Sequence, residues 1–377
     1  MTATGATTGR GAPLIIDAAA GTNGRARASD PVIRVEDLAW VEMEKPDLDA
    51  AERFTHAFGF ATAVRTPQEL HLRGTLPGPA CLIIRRGRRA RFVAPVYRAS
   101  SRTDLERLAR ALDGAVRPLA GPGGGYGIDV HDPSGSLVRV VAEVEELPAL
   151  AEQQALTLNV GTRADRINAV QRPPHEAARV QRLGHVELET TRFRRTLDWY
   201  LENLGLIVSD YLFLRGQRDR GPVMAFARCD RGRIATDHHT LALYLGPRER
   251  LAHTAYQVSD LDAIAMGAGY LAGSGGAHVW GIGRHVEGSA VFNFWRDPDG
   301  FLFEHYSDGD RFDDTVRPDW APMQASRLTQ WGPPPTAGYL GSRPSLSLFR
   351  AVLAALREKD NDIDLRRLLG LARVTIS

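Results

Sequence analysis

Two ten-residue stretches of this chain can be laid on each other without a gap: HDPSGSLVRV at 131–140 and RDPDGFLFEH at 296–305. Each lies beside alternating apolar runs, and each places a Pro and a Gly where a chain turns between strands. A second pair, AFGF at 57–60 and NLGL at 203–206, follows two amphipathic helical patterns. A chain that repeats itself in this way is built from copies of one supersecondary unit, and that excludes most other architectures.

The unit reads as strand, helix, strands. RVEDLAWVEM, DLDAAERFTHAFG, ELHLRG and ACLIIRR make the first copy. RFVAPVYRA, DLERLARAL and YGIDVHDPSGSLVRVVAEV make the second. RLGHVELET, RFRRTLDWYLENLG, PVMAFARC and HHTLALYLG make the third, and LAHTAYQVSD through AVFNFWRDPDGFLFEHYSD the fourth. The expectation is an α+β chain of four βαβββ modules in two domains, 32–147 and 180–310. A flexible tail is expected at 1–31, a polar Ala/Gln-rich linker at 148–179, and an extension with one or two helices at 311–377. In the third copy Phe193, Leu197, Tyr200, Leu201 and Leu204 form one apolar stripe, and Gly205 ends the helix. Ser259, with Asp262 three residues on, reads as the cap of the fourth helix.

Apolar residues make up 43% of the 377, enough for sizeable cores. Lys plus Arg number 47 against 45 acids, so the net charge of +2 gives no basis for nucleic-acid binding. The Arg85, Arg86, Arg88, Arg89, Arg91 run reads as a solvated hairpin rim. Two cysteines, Cys81 and Cys229, read as reduced and buried. No apolar run reaches the length of a membrane span and no secretion signal opens the chain, so a soluble cytoplasmic protein is expected.

Unexpected polarity gathers in the second half. In LGHVELET, His185, Glu187 and Glu189 share one face of a strand, opposite Val186 and Leu188. His253 opens a second strand, and Glu304 shares a face with Leu302 and Tyr306 in a third. Two imidazoles and one carboxylate are the set that holds non-haem Fe(II) on one face. Periodicity alone leaves ordinary cleft histidines as the other reading, because the chain has 11 histidines.

GHVELETTRFRRTLDWYLENLGL, DHHTLALYLGPRERLAHTAYQVSDLDAI and WGIGRHVEGSAVFNFWRDPDGFLFEHYSDGD resemble the metal and substrate segments of the type I extradiol ring-cleavage dioxygenases. These belong to the vicinal oxygen chelate superfamily, and the resemblance covers roughly 32–320. It implies curved mixed sheets with outer helices, a mononuclear Fe(II) (with Mn(II) as the alternative), a catechol-type aromatic and O2 as reactants, and a homo-oligomer. His185, His253 and Glu304 fall on its ligand positions, and His239 and His285 on its active-site histidines. Strand alternation should send only one of His238 and His239 into the pocket, and the 14-residue spacing to His253 favours His239. Phe294 stands where the family commonly has a tyrosine, and it cannot donate a hydrogen bond. Tyr256 or Tyr306 would then supply a hydroxyl near the substrate. Arg139 takes the place of Glu304 in the first domain, which should hold no metal. Asp237, His278 and His305 read as structural or surface groups. The competing functions are a metal-dependent isomerase or epimerase on the same scaffold and a non-catalytic aromatic-binding protein.

Overall fold

The computed structural model describes residues 25–121, 123–341 and 345–374. Most of the expected tail, residues 1–24, lies outside the described residues. Residues 25–31 correct the expectation that structure begins near Val32. Tyr211 Oη donates to Arg25 O at 2.7 Å, Val208 N to Ala26 O at 2.9 Å, and Arg27 reaches the buried Asp230 carboxylate at 2.6 Å.

The first module is β1 (Val35–Lys45), α1 (Leu48–Phe58), β2 (Ala61–Arg65), β3 (Glu69–Arg73) and β4 (Leu82–Arg86). The second is β5 (Arg91–Ala99), α2 (Arg102–Ala111), β6 (Arg117–Pro118), β7 (Tyr126–His131) and β8 (Leu137–Ala142). The third is β9 (Arg182–Thr190), α3 (Phe193–Leu204), β10 (Leu206–Leu214), β11 (Met224–Cys229), β12 (Thr236–Asp237) and β13 (Leu241–Leu245). The fourth is β14 (Arg250–Gln257), α4 (Leu261–Gly273), β15 (Ala277–Arg284), β16 (Val291–Arg296) and β17 (Leu302–Ser307). Beyond them come β18 (Arg311–Phe312), β19 (Asp319–Met323), α5 (Leu346–Arg357) and α6 (Leu365–Val374).

Modules pair into two mixed sheets, ordered β2-β3-β4-β1-β5-β8-β7-β6 and β15-β16-β17-β14-β9-β13-β11-β10-β19. Within a module the first and last strands run parallel (β1 with β4, β5 with β8, β9 with β13, β14 with β17). Between modules the two first strands meet antiparallel at the centre, β1 with β5 and β9 with β14. The apolar stripe of α3 is wholly buried, and Gly205 ends the helix in the left-handed region at φ +67°. Asp260 rather than Ser259 caps α4: its carboxylate accepts from Ala263 N at 2.8 Å. Carboxylate and hydroxyl caps serve alike, so the local pattern did not separate these neighbours.

An aromatic seam joins the halves. Phe54 and Phe58 of α1 meet Phe303 edge-on at 5.2 and 5.5 Å, and Phe60 meets Tyr256 at 4.7 Å. His305 stacks on Phe58 and donates to its carbonyl at 2.7 Å, so it is a structural group. Lys45 of β1, 1% exposed, pairs with Asp297 in the turn before β17 and lies 3.1 Å from Asp299. The extension belongs to the second sheet, since β19 runs parallel to β10. In the first domain Arg139 pairs with Glu42 and with Asp129, and Arg85 reaches Glu42 at 2.8 Å and Glu69 at 2.9 Å. Arg85 is thus tied into the domain rather than freely solvated. Both cysteines are buried and free. Among the described residues no helix is long and apolar enough to cross a membrane.

Candidate metal centre

Three adjacent strands, β9, β14 and β17, bring His185, His253 and Glu304 together. His185 Nε2 lies 3.2 Å from His253 Nε2, and each lies 3.2 Å from Glu304 Oε2. All three residues are buried, and among the described residues no other group of three His, Cys, Asp or Glu side chains converges this way. Glu304 Oε2 accepts no hydrogen bond from the described residues despite its burial. Two imidazole nitrogens and one carboxylate oxygen this close together would hold a single divalent ion between them. The donor set fits Fe(II) or Mn(II).

The electrostatics follow from burial and crowding. Burial alone would raise the Glu304 carboxyl, but the His185, His253 and His285 nitrogens hold it well below the usual carboxylate range. Burial lowers His185, with Glu304 opposing. Burial also works against a charged His253, yet the Glu187 and Glu304 carboxylates lift it above its ordinary value. Glu187 Oε2 lies 3.2 Å from His253 Nδ1. A proton held at Nδ1 leaves the Nε2 lone pair facing the other two donors, the arrangement a metal ligand needs.

Around this triangle sit the other imidazoles. His239 packs on His185 with ring centroids 4.0 Å apart. Its Nδ1 meets His238 Nδ1 at 3.0 Å, and His238 Nε2 meets Asp210 Oδ2 at 2.7 Å. A carboxylate accepts only, so His238 carries its proton on Nε2 and accepts at Nδ1 from His239. The lone pair of His239 is then left on Nε2. His285 donates from Nδ1 to Leu328 O at 2.9 Å, and its Nε2 lies 3.6 Å from Glu304 Oε1. Two apolar walls flank the polar floor. One gathers Leu212, Met224, Phe226 and Tyr244, with Phe226 5.0 Å from His239; the other gathers Trp280, Phe292 and Phe294, with Phe294 5.1 Å from His253.

A sequence model of the Glyoxalase/Bleomycin resistance protein/Dioxygenase superfamily matches residues 182–305, the segment from β9 to β17. Metapyrocatechase 2 of Cupriavidus necator is 30% identical over 320 residues, covering 82% of this chain and 92% of the relative. The chain belongs to this superfamily. A manganese-dependent 2,3-dihydroxybiphenyl 1,2-dioxygenase of Geobacillus genomosp. 3 is 26% identical over 249 residues, 63% of this chain and 72% of that one. Among solved structures, a Mn(II)-bound glyoxalase from Novosphingobium aromaticivorans superposes with a TM-score of 0.67 at 25% identity, covering 81% of this chain and 94% of the other. An anaerobic substrate complex of homoprotocatechuate 2,3-dioxygenase from Brevibacterium fuscum gives 0.67 at 20% identity, covering 83% and 94%, a likeness of fold.

One expected substrate-side residue lies elsewhere in this superfamily member, and groups expected to be structural have protein partners. Tyr256 faces away from the metal centre, into the seam with Phe58, Phe60 and Phe303. It lies three positions from His253, an odd step along a strand, so it had to point to the other side. Tyr306 is on the site side, its ring 5.6 Å from His185, but its hydroxyl is engaged by Asp237 at 3.3 Å. Asp237 also holds Arg182, and His278 meets the Asn293 side chain at 2.8 Å. His238 and His239 both line one cavity of about 140 Å³ with His185 and Tyr306. They sit in a bend between β12 and β13, where strand alternation does not apply. Glu187 was missed as a site residue, although its shared face with His185 was visible. Asp210, reached through tertiary packing, left no such signal.

Proposed function

We propose that this chain is an extradiol dioxygenase that opens a catechol-type ring with O2, His185, His253 and Glu304 holding Fe(II) or Mn(II). The observation that carries the reading is the 3.2 Å triangle of two imidazoles and one carboxylate between two apolar walls. Such a cup fits a flat ring with two adjacent oxygens at its polar end. Bound there, the divalent ion supplies Lewis acidity and, as iron, a path for electrons between ring and oxygen.

The chain's own residues supply the rest. His239 Nε2, left unprotonated by the Asp210–His238 pair, takes a proton from a diol hydroxyl and returns it later. His285 Nε2 stands beside Glu304 at the other side of the floor, within reach of a substrate or dioxygen oxygen. Phe294 and Phe226 keep water from the ring and contribute shape only. In this reading 180–310 is the working domain, and 32–147 supports it through the seam. The same reading includes a homo-oligomer and a cytoplasmic location. Exposed Leu346, Phe349 and Leu356 on α5, with Leu365 and Leu369 on α6, support the first, and two buried free thiols fit the second.

Anaerobic reconstitution with Fe(II) or Mn(II), followed by oxygen uptake across a panel of catechols with product spectra, tests the function. Oxygen consumption with a yellow ring-opened product supports it; its absence with every diol defeats it. The likeness to the Mn(II)-bound glyoxalase favours metal-dependent isomerisation as a second reading, which would proceed without oxygen uptake. His185→Ala, His253→Ala and Glu304→Ala should each bind substoichiometric metal. His239→Ala should keep the metal and lose most turnover.

A further inference from the structure

The extension after β19 lies against the metal centre. Leu328 O accepts from His285 Nδ1, and Gln330 N donates to Arg284 O at 2.7 Å. Trp280 Nε1 donates to Pro333 O at 2.8 Å, Thr336 Oγ1 to Val279 O at 2.9 Å, and Arg296 to Gly338 O at 2.9 Å. These bonds strap residues 328–338 across β15 and the end of β16. The strap delivers one aromatic side chain to the pocket wall. The Tyr339 ring lies 4.2 Å from Trp280 and 4.8 Å from Phe294, which in turn lies 5.1 Å from His253.

The surroundings of that phenol are unusual for a wall residue. It is partly buried, and its hydroxyl makes no hydrogen bond with the described residues. Its ring rests on Phe294, which pairs across β16 and β17 with Glu304 and so shares the face of the sheet that carries that carboxylate, and burial, with the Glu187 and Glu304 carboxylates adding to it, raises the phenol well above its usual range. It is therefore a protonated donor, and it belongs to a wall whose other members, Trp280, Phe292 and Phe294, have no donor to spare: the one N–H, on Trp280, is spent on Pro333. A half-buried hydroxyl with no protein acceptor is free to donate, and a ligand oxygen above the metal centre would be a partner for it.

We propose that Tyr339, carried in by the C-terminal strap, is a substrate-contacting residue of the metal pocket that donates its phenolic hydrogen to an oxygen of the bound diol. The assignment rests on the dioxygenase reading for the identity of that ligand. It makes the extension part of the binding site.

The test uses 4-nitrocatechol, a chromophoric diol, titrated without oxygen into metal-loaded wild type and Tyr339→Phe. The variant keeps the ring and loses only the hydroxyl. Metal content should stay at the wild-type level, while the Kd for 4-nitrocatechol rises about tenfold or more, as expected for a lost bond to a charged oxygen. The absorption band of the bound nitrocatecholate should also shift, which a merely structural role would not produce. Wild-type Kd and an unshifted band in Tyr339→Phe would overturn the assignment while leaving the dioxygenase reading intact. If loaded wild type fails to bind 4-nitrocatechol at all, both fall together. Tyr339→Ala, which removes the wall as well, should weaken binding further than Tyr339→Phe; equal effects of the two would mean that the hydroxyl carries the contribution.

Discussion

Glu187→Ala is the sharpest single perturbation of the proposed metal centre, because Glu187 lies behind the triangle of donors. Its carboxylate stands 3.2 Å from His253 Nδ1, and both side chains are largely withdrawn from water. With the carboxylate present, the His253 proton is held at Nδ1 and Nε2 presents a lone pair to the ion. Without it, the imidazole can turn or take the other tautomer, in which Nε2 carries hydrogen and does not bind. Partners of this kind contribute tenfold to a hundredfold in metal affinity, or about 1.4–2.7 kcal/mol. Glu187→Gln keeps an acceptor oxygen but drops the charge, so it should fall between wild type and Ala. The assay is competition for Mn(II) or Fe(II) against a fluorescent chelator under anaerobic conditions. An Ala variant with wild-type affinity would refute the claim that Glu187 sets the His253 tautomer.

Four further outcomes follow from the same contacts. Lys45→Met leaves the Asp297 and Asp299 carboxylates without their buried partner and should cost about 3–5 kcal/mol in denaturant unfolding; a loss under about 1 kcal/mol would contradict the pairing. Phe303→Ala opens the seam against Phe54, Phe58 and Tyr256 and should cost about 3–5 kcal/mol in the same measurement. Mn(II) at about a hundred times its Kd should stabilise wild type by about 2.7 kcal/mol in thermal unfolding, and His253→Ala not at all. Asp364, at the start of α6, is pulled from 3.8 down to about 2, chiefly by its bond to Arg220. A depressed folded-state value means stability that is present above pH 3.8 and is lost as pH falls towards 2. Hydrogen exchange should therefore show α6 opening early on acidification, and Asp364→Asn should remove that pH dependence.

What the sequence made legible is what strand periodicity controls. His185 and Glu304 sit on strands whose alternation assigns their faces, and the internal repeat sets Arg139 against Glu304. The residues alone leave Tyr256 and Tyr306 as alternative sources of a hydroxyl, but the odd step from His253 to Tyr256 puts that ring on the opposite face, in the seam. Where the backbone leaves the strand, alternation gives no guidance: His238 and His239 turn into one cavity from a bend. Tyr339 lies at a greater remove still, since nothing periodic governs a Pro-rich strap. Its position depends on side-chain bonds from Trp280, Thr336 and Arg296 to backbone carbonyls far away in the chain. Residues 25–31 were misread for a related reason. The Ala-, Gly- and Thr-rich composition of the first 30 residues taken together suggests a loose tail, whereas backbone pairing with β10 needs no large side chain.

On β17, Phe303 and Glu304 are consecutive residues pointing to opposite sides of the sheet, one into the joint between the halves and the other at the proposed ion. Any slip of the two halves that shifts Phe303 therefore drags the carboxylate with it, by way of a single peptide unit. Docking and ion grip are mechanically one displacement, so substitutions at the far side of this strand, in α1 of the first domain, should register as changes in metal retention before they register as unfolding.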